Sequence, residues 1–171
     1  AAPAPPPPPP AAPAPRRPPL VRIDEYLLAT KLGREMRQAS TRTGRQLLDL
    51  GQEVFGRPEI GDYFDRVVRR EAPGTQAVAA GVIYAATGVP VRQAVAADLF
   101  AFCVSFAGAA LRLRLTDHRT TQTLIRGAAP VIEEAVEAAL RRELDDVGAT
   151  VFASDIMSGR HERAEARLFA S

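Results

Sequence analysis

From Leu28 to Leu50 the apolar and small residues return at every third or fourth position: Leu28, Leu32, Met36, Ala39, Thr43, Leu47 and Leu50. On an α-helix that spacing makes a single stripe. Val91, Val95, Leu99, Phe102, Phe106 and Ala109 repeat it, as do Val131, Ile132, Ala135, Val136, Ala139, Leu140 and Leu144. No stretch alternates apolar and polar residues next to a turn and a pairing partner. The short "LRLRL" of residues 111–115 is no exception. The pattern predicts an all-α fold, a compact helical bundle of about five to seven helices.

Local signals place the helix ends. "IDEYLLATKLGREMRQASTRTGRQLLDLG" reads as one helix, capped by Asp24 and stopped by Gly51. Gly33 and Gly44 interrupt it, each at about 1 kcal/mol against alanine. Gly44 falls beside the stripe, where close approach of a second helix would favour it. Arg34, Arg37, Arg42 and Arg45 run across another face. "PEIGDYFDRVVRREAPG" reads as a turn of helix flanked by loops. "GTQAVAAGVIYAATGVP" is apolar nearly all round and belongs in the middle of a bundle, ending at Gly88 and Pro90. The segment from Val91 reads as the core helix. "LRLRL" is then its C-terminus, with Arg112 and Arg114 at the negative end of the dipole. Thr116 or Asp117 caps the next helix, which Pro130 kinks or restarts. Glu137 and Arg141 stand four apart, a pair worth about a few tenths of a kcal/mol. "DDVGATVFASDIM" adds a short helix with a capping aspartate.

Composition narrows the function. The 171 residues, 46% of them hydrophobic, suit one folded domain. Most of the 15 prolines lie between Pro3 and Pro19, so residues 1–22 are expected to be a disordered proline- and alanine-rich segment. That segment suits either a spacer or a polyproline ligand for an SH3 or WW groove. A formal charge of +2 is too small to argue for nucleic acid. Cys103 is alone, which excludes an internal disulfide and fits a cytoplasmic location. The longest uninterrupted apolar-and-small run, Leu99 to Leu111, falls short of the roughly 20 residues a span requires, so no membrane segment is expected. Nor is a signal peptide expected, since residues 1–22 hold no charged leader followed by an apolar core. His118, His161 and Cys103 lie far apart in sequence, no CxxC or HxxxH occurs, and "GTQAVAAG" lacks the lysine and spacing of a P-loop. Cys103 sits in the most apolar helix, where cysteine usually serves as a small buried hydrophobe. The expectation is a non-enzyme with no intrinsic metal and no cofactor of its own.

What remains is the C-terminal segment, "SGRHERAEARLFAS". Written as a helix it puts Met157, His161, Ala164 and Leu168 on one face and Arg160, Arg163 and Arg167 on another. Arginine and aromatic side chains in such a segment suit interface anchors. The same pattern also suits a helix folded back on its own bundle.

The run "LDDVGATVFASDIMSGRHERAEARLFAS" resembles the C-terminal signature of the UreF family of urease accessory proteins. Asp155, Ile156, Ser158, Arg160, His161 and Glu162 match a D-I-x-S-M-R-H-E pattern, and Arg167, Leu168, Phe169 and Ser171 match S-R-L-F-x-S. "KLGREMRQASTRTGRQLL" is similar to the family's R-x-A-S and G-R-x-L-L helix through Arg37, Ala39, Ser40, Gly44, Arg45, Leu47 and Leu48. "APVIEEAV" is similar to its P-x-I-E-x-A stretch through Pro130, Ile132, Glu133 and Ala135. Order and spacing agree over roughly residues 24–171. Thr75, Gly159 and Ala166 depart from the pattern, and the family's L-P-x-G-x-F and S-x-G-L-E elements have no counterpart.

The resemblance implies an all-α, non-catalytic adaptor in nickel insertion into urease. Residues 23–157 would form the UreF-like domain and 158–171 the partner-binding tail. The implied partners are a UreD/UreH-type accessory protein, the GTPase UreG and apo-urease, with homodimerisation also a family trait. Nickel and GTP would enter only through those partners. Met157, Arg160, His161, Glu162, Arg167, Leu168 and Phe169 are the expected partner-binding residues, with no metal ligands. The competing expectations are a truncated UreF-like fragment without function and a generic helical interaction module.

Overall fold

A computed structural model describes residues 18–148 and 151–163. The proline-rich stretch before Pro18 lies outside the described residues. Among those described there are eight α-helices, one 3-10 turn and no strand. The helices are α1 (Pro19–Ala29), α2 (Arg34–Phe55), α3 (Pro58–Val68), α4 (Gln76–Ala86), α5 (Val91–Arg112), α6 (His118–Gly127), α7 (Ala129–Ala139) and α8 (Phe152–His161). The all-α expectation holds.

The first long segment is two helices. Thr30 ends α1, and Gly33, in extended conformation, starts α2. Arg37 ties the junction by donating to the carbonyls of Lys31 and Leu32 at 2.6 and 2.8 Å. The buried line of α2 is not the leucine stripe. Gly44, Leu48 and Gly51 face inward, while Leu32, Met36 and Leu50 are exposed. The cause is close approach of the neighbouring chain. A Cβ on Gly44 would stand 2.1 Å from the Gly74 carbonyl oxygen, at the entry to α4. One on Gly51 would meet Ile83 Cδ1 at 2.8 Å. Gly51 therefore does not stop the helix. Gly56 does, at φ 58°, the left-handed C-cap that glycine tolerates best.

Asp24 does not cap its own helix either. It is fully buried inside α1 and reaches the start of α4, fifty residues on. Its carboxylate accepts from the Gly74 and Thr75 amides at 2.6 and 3.0 Å, from the Thr75 hydroxyl, and from the Tyr63 hydroxyl at 2.6 Å. One side chain thus links α1, α3 and α4. Around it Val21, Leu48, Ile60, Tyr63, Val67, Val78, Ala79 and Ile83 form the main core. The segment from Pro58 is a full helix of 11 residues, more than the single turn expected. The small-residue helix α4 lies between α2, α3 and α5, as its all-round apolarity suggested.

The expectation for α5 fails. It packs on α6, α7 and the edge of α4, yet only Ala107 is buried. Phe102 and Phe106 stay 65% and 69% exposed, their rings stacked at 6.1 Å, and Phe100 and Val104 are exposed too. At 22 residues, with an 18-residue stretch of mean hydropathy 1.9, α5 is long and apolar enough to cross a membrane by length and composition alone. The uninterrupted run counted in the sequence understated it. A single such helix is weak evidence for a span.

Further along, Asp117 caps α6 as expected, accepting from the amides of Arg119 and Thr120. Those bonds hold its carboxyl below the usual range. Pro130 restarts the chain as α7. Glu137 pairs with Arg92 of α5 and not with Arg141, so the ion pair joins two helices. In α8 the N-cap is Val151, not an aspartate. The acidic run before it instead makes the 3-10 turn Leu144–Asp146, with Glu143 and Asp146 in a capping box.

Candidate functional site

Helix α8 returns to the opening of α2. Gly33 offers no side chain to cap that end, so the first-turn amides lack partners within their own helix. Glu162 supplies one: its Oε1 accepts from the Glu35 amide at 3.0 Å. The carboxylate sits where the positive end of the helix dipole favours it. In exchange, His161 donates from Nδ1 to Glu35 Oε2 at 2.9 Å. A Cβ on Gly33 would lie 3.2 Å from both Glu162 Oε1 and Ser158 Oγ, so glycine is what lets α8 settle this close. Nearby, the Tyr26 hydroxyl of α1 donates to the Val147 carbonyl at 3.0 Å.

This seating gives α8 two faces. Asp155, Ser158, His161 and Glu162 are half-buried, the last three against α2 or its entry. Phe152, Ile156 and Met157 point outward at 76%, 57% and 59% exposure, with Arg160 exposed beside them. Residues 152, 156 and 160 are spaced by four, which stacks them on one side. Of the residues expected to bind a partner, Met157 and Arg160 lie on the open face. His161 and Glu162 face α2. Arg167, Leu168 and Phe169 lie outside the described residues. Phe152 and Ile156 were missed by sequence reasoning, although their spacing to Arg160 was the signal available.

Among the described residues, catalytic groups do not converge around this face. Among the described residues, no three His, Cys, Asp or Glu side chains gather as a metal-ligand group. Cys103 is half-buried in a cleft of about 450 Å³ between α5 and α6, lined by Phe102, Phe106, Leu124, Thr116 and Thr120. His118 opens α6, exposed. A second cleft, about 750 Å³, lies between α1, α2 and the turn after α3. Arg42, Arg45 and Arg70 line it together with Glu25 and Glu71. Glu71 is itself paired with Arg66 and Arg69, so the cleft is a mixed-charge groove without a nucleophile–base pair. The second uncommitted surface is the phenylalanine flank of α5.

The family model described as UreF matches residues 10–129. The urease accessory protein UreF of Arthrobacter sp. (strain FB24) is 38% identical over 149 residues, which is 87% of this chain and 66% of that protein. The UreF of Paenarthrobacter aurescens (strain TC1) is 36% identical over the same length, 87% of this chain and 67% of its own. The UreF of Brucella ovis is 36% identical over 94 residues. The chain spans about two thirds of the length of the first two relatives.

Proposed function

This chain belongs to the UreF family of urease accessory proteins, and from that premise we propose that it serves urease maturation as a non-catalytic adaptor. It binds a UreD/UreH-type accessory protein, and through that pair it meets the GTPase UreG and apo-urease. Nickel is cargo of the assembly and GTP belongs to the GTPase; neither needs a site on this chain.

The observation that carries the reading is the open face of α8. A helix docked on one side would ordinarily turn its polar residues outward. Here Phe152, Ile156 and Met157 face solvent beside Arg160. That grouping has the make-up of an interface centre: apolar anchors with an arginine ready for a charge-assisted bond to a carboxylate. The partner surface it fits is an apolar groove edged by acidic side chains. Leu168 and Phe169, expected from the sequence to bind the same partner, belong to this reading as well.

Capture of a purified UreD/UreH-type protein tests this. Ile156→Asp with Met157→Asp places two charges in the interface and should weaken capture by about a hundredfold. Undiminished capture overturns the docking role of α8. The competing reading of an inert fragment predicts no cooperative unfolding. The closed core of α1–α4 supports a single cooperative transition instead.

A further inference from the structure

We propose that Glu162 and His161 are positioning residues, not partner contacts: together with Glu35 and Gly33 they form an intramolecular latch that seats α8 on the N-terminal end of α2 and so holds its apolar face outward. The inference rests in part on the reading of that face as a docking surface.

The latch is specified from both sides. On α2, the N-cap carries no side chain, leaving an amide open, and the second helical residue is a carboxylate. On α8, the last turn brings a ring donor and a carboxylate to those two groups. The exchange is reciprocal, as in a capping box, but across 127 residues of chain. Both bonds end on a side-chain carboxyl oxygen, one from a backbone amide and one from a histidine ring. Geometry adds a steric condition, because any Cβ at residue 33 presses on Glu162 Oε1 and Ser158 Oγ at once.

The latch also decides which side of α8 is on offer. No residue of this helix is fully buried and its N-cap makes no side-chain bond, so its packing and local capping hold it weakly. The contacts of Ser158, His161 and Glu162 with the start of α2 are what fix its rotation. Without them, Phe152, Ile156 and Met157 are free to turn inward and cover themselves.

Amide hydrogen exchange on the full chain reads the latch directly. In Glu162→Ala the Glu35 amide and the amides of α8 should exchange about tenfold faster or more, the loss expected for one charge-assisted hydrogen bond. Amides of Leu48 and Ile60 in the core should not change. Glu162→Gln keeps an acceptor and should restore most of the protection; Gly33→Ala should loosen α8 while leaving every polar group in place. Unchanged exchange in both Glu162→Ala and Gly33→Ala overturns the latch. Capture of the UreD/UreH-type protein by the same variants tests positioning: it should fall in Glu162→Ala and recover in Glu162→Gln. Faster exchange with full capture would leave a latch that positions nothing, and would overturn that half of the proposal. If instead Ile156→Asp with Met157→Asp leaves capture intact, the docking reading fails while the exchange result still judges the latch.

Discussion

Asp24 is the residue on which most of the first four helices depend. Four donors converge on one buried carboxylate, and the donors come from α3 and from the entry to α4. Asp24→Ala would strand two buried hydroxyls and two amides. It should cost about 3–5 kcal/mol, seen as a lower urea midpoint. Its neighbour gives a pH signature. Burial, the hydrogen bond to Asp24 and the nearby negative charge together push the Tyr63 hydroxyl far above the ordinary tyrosine range. The folded chain therefore keeps a proton that the unfolded chain releases near about pH 10. The stabilisation is complete below that pH and is lost progressively as pH rises above it. Tyr63→Phe should flatten this alkaline decline, which stability measurements from pH 8 to 11 would detect (an unchanged slope would contradict it). From sequence, Asp24 read as a local cap because it stood near a helix start. A contact with a loop fifty residues away leaves no periodic trace, and only the fold reveals it.

Helix ends were legible where the signal acts locally, but the stripe from Leu28 to Leu50 spans two helices and neither Asp24 nor Gly51 bounds one. Asp117 at α6 and Pro130 at α7 were read from sequence because capping and proline act locally. The burial pattern of α2 was legible only at Gly44, read as a place of close helix approach; Gly51 was read as a stop and the leucine stripe as the buried face, when Gly44, Leu48 and Gly51 face inward. That difference can be measured. Gly44→Ala sets a Cβ against backbone oxygen and must part α2 from α4, at about 3 kcal/mol or more. Gly51→Ala meets side-chain atoms of Ile83, Cδ1 at 2.8 Å and Cγ1 at 3.1 Å, which can yield more readily than backbone, and the gain in helix propensity offsets part of the strain. It should cost about 1 kcal/mol or less. Equal urea midpoints for the two variants would refute this account of the α2–α4 contact. Helix α5 misled for the opposite reason. Its apolar residues are genuine, but periodicity reports that a face wants cover and not whether this chain covers it.

Across the whole molecule, the tight core of α1–α4 adjoins a more open layer of α5–α7, where Ala107, Thr121 and Val136 are the buried residues. The uncovered phenylalanines of α5 should make the chain associate as its concentration rises, with replacement of Phe102 and Phe106 by serine shifting sedimentation toward the monomer. If the same pair governs co-sedimentation with lipid vesicles and leaves self-association unchanged, α5 serves a membrane surface instead. The family was legible from the terminal motif, whereas the seating of Ser158, His161 and Glu162 against the start of α2 was not, because a contact with a helix more than 120 residues earlier leaves no trace in local spacing. The reach of Glu162 back to Glu35 has a temporal consequence. Residues so far apart can meet only after the helices between them have been synthesised and drawn into place. A nascent chain thus shows no finished α8 surface, and a partner that reads this face, as proposed above, would meet it only on molecules that have completed their own assembly.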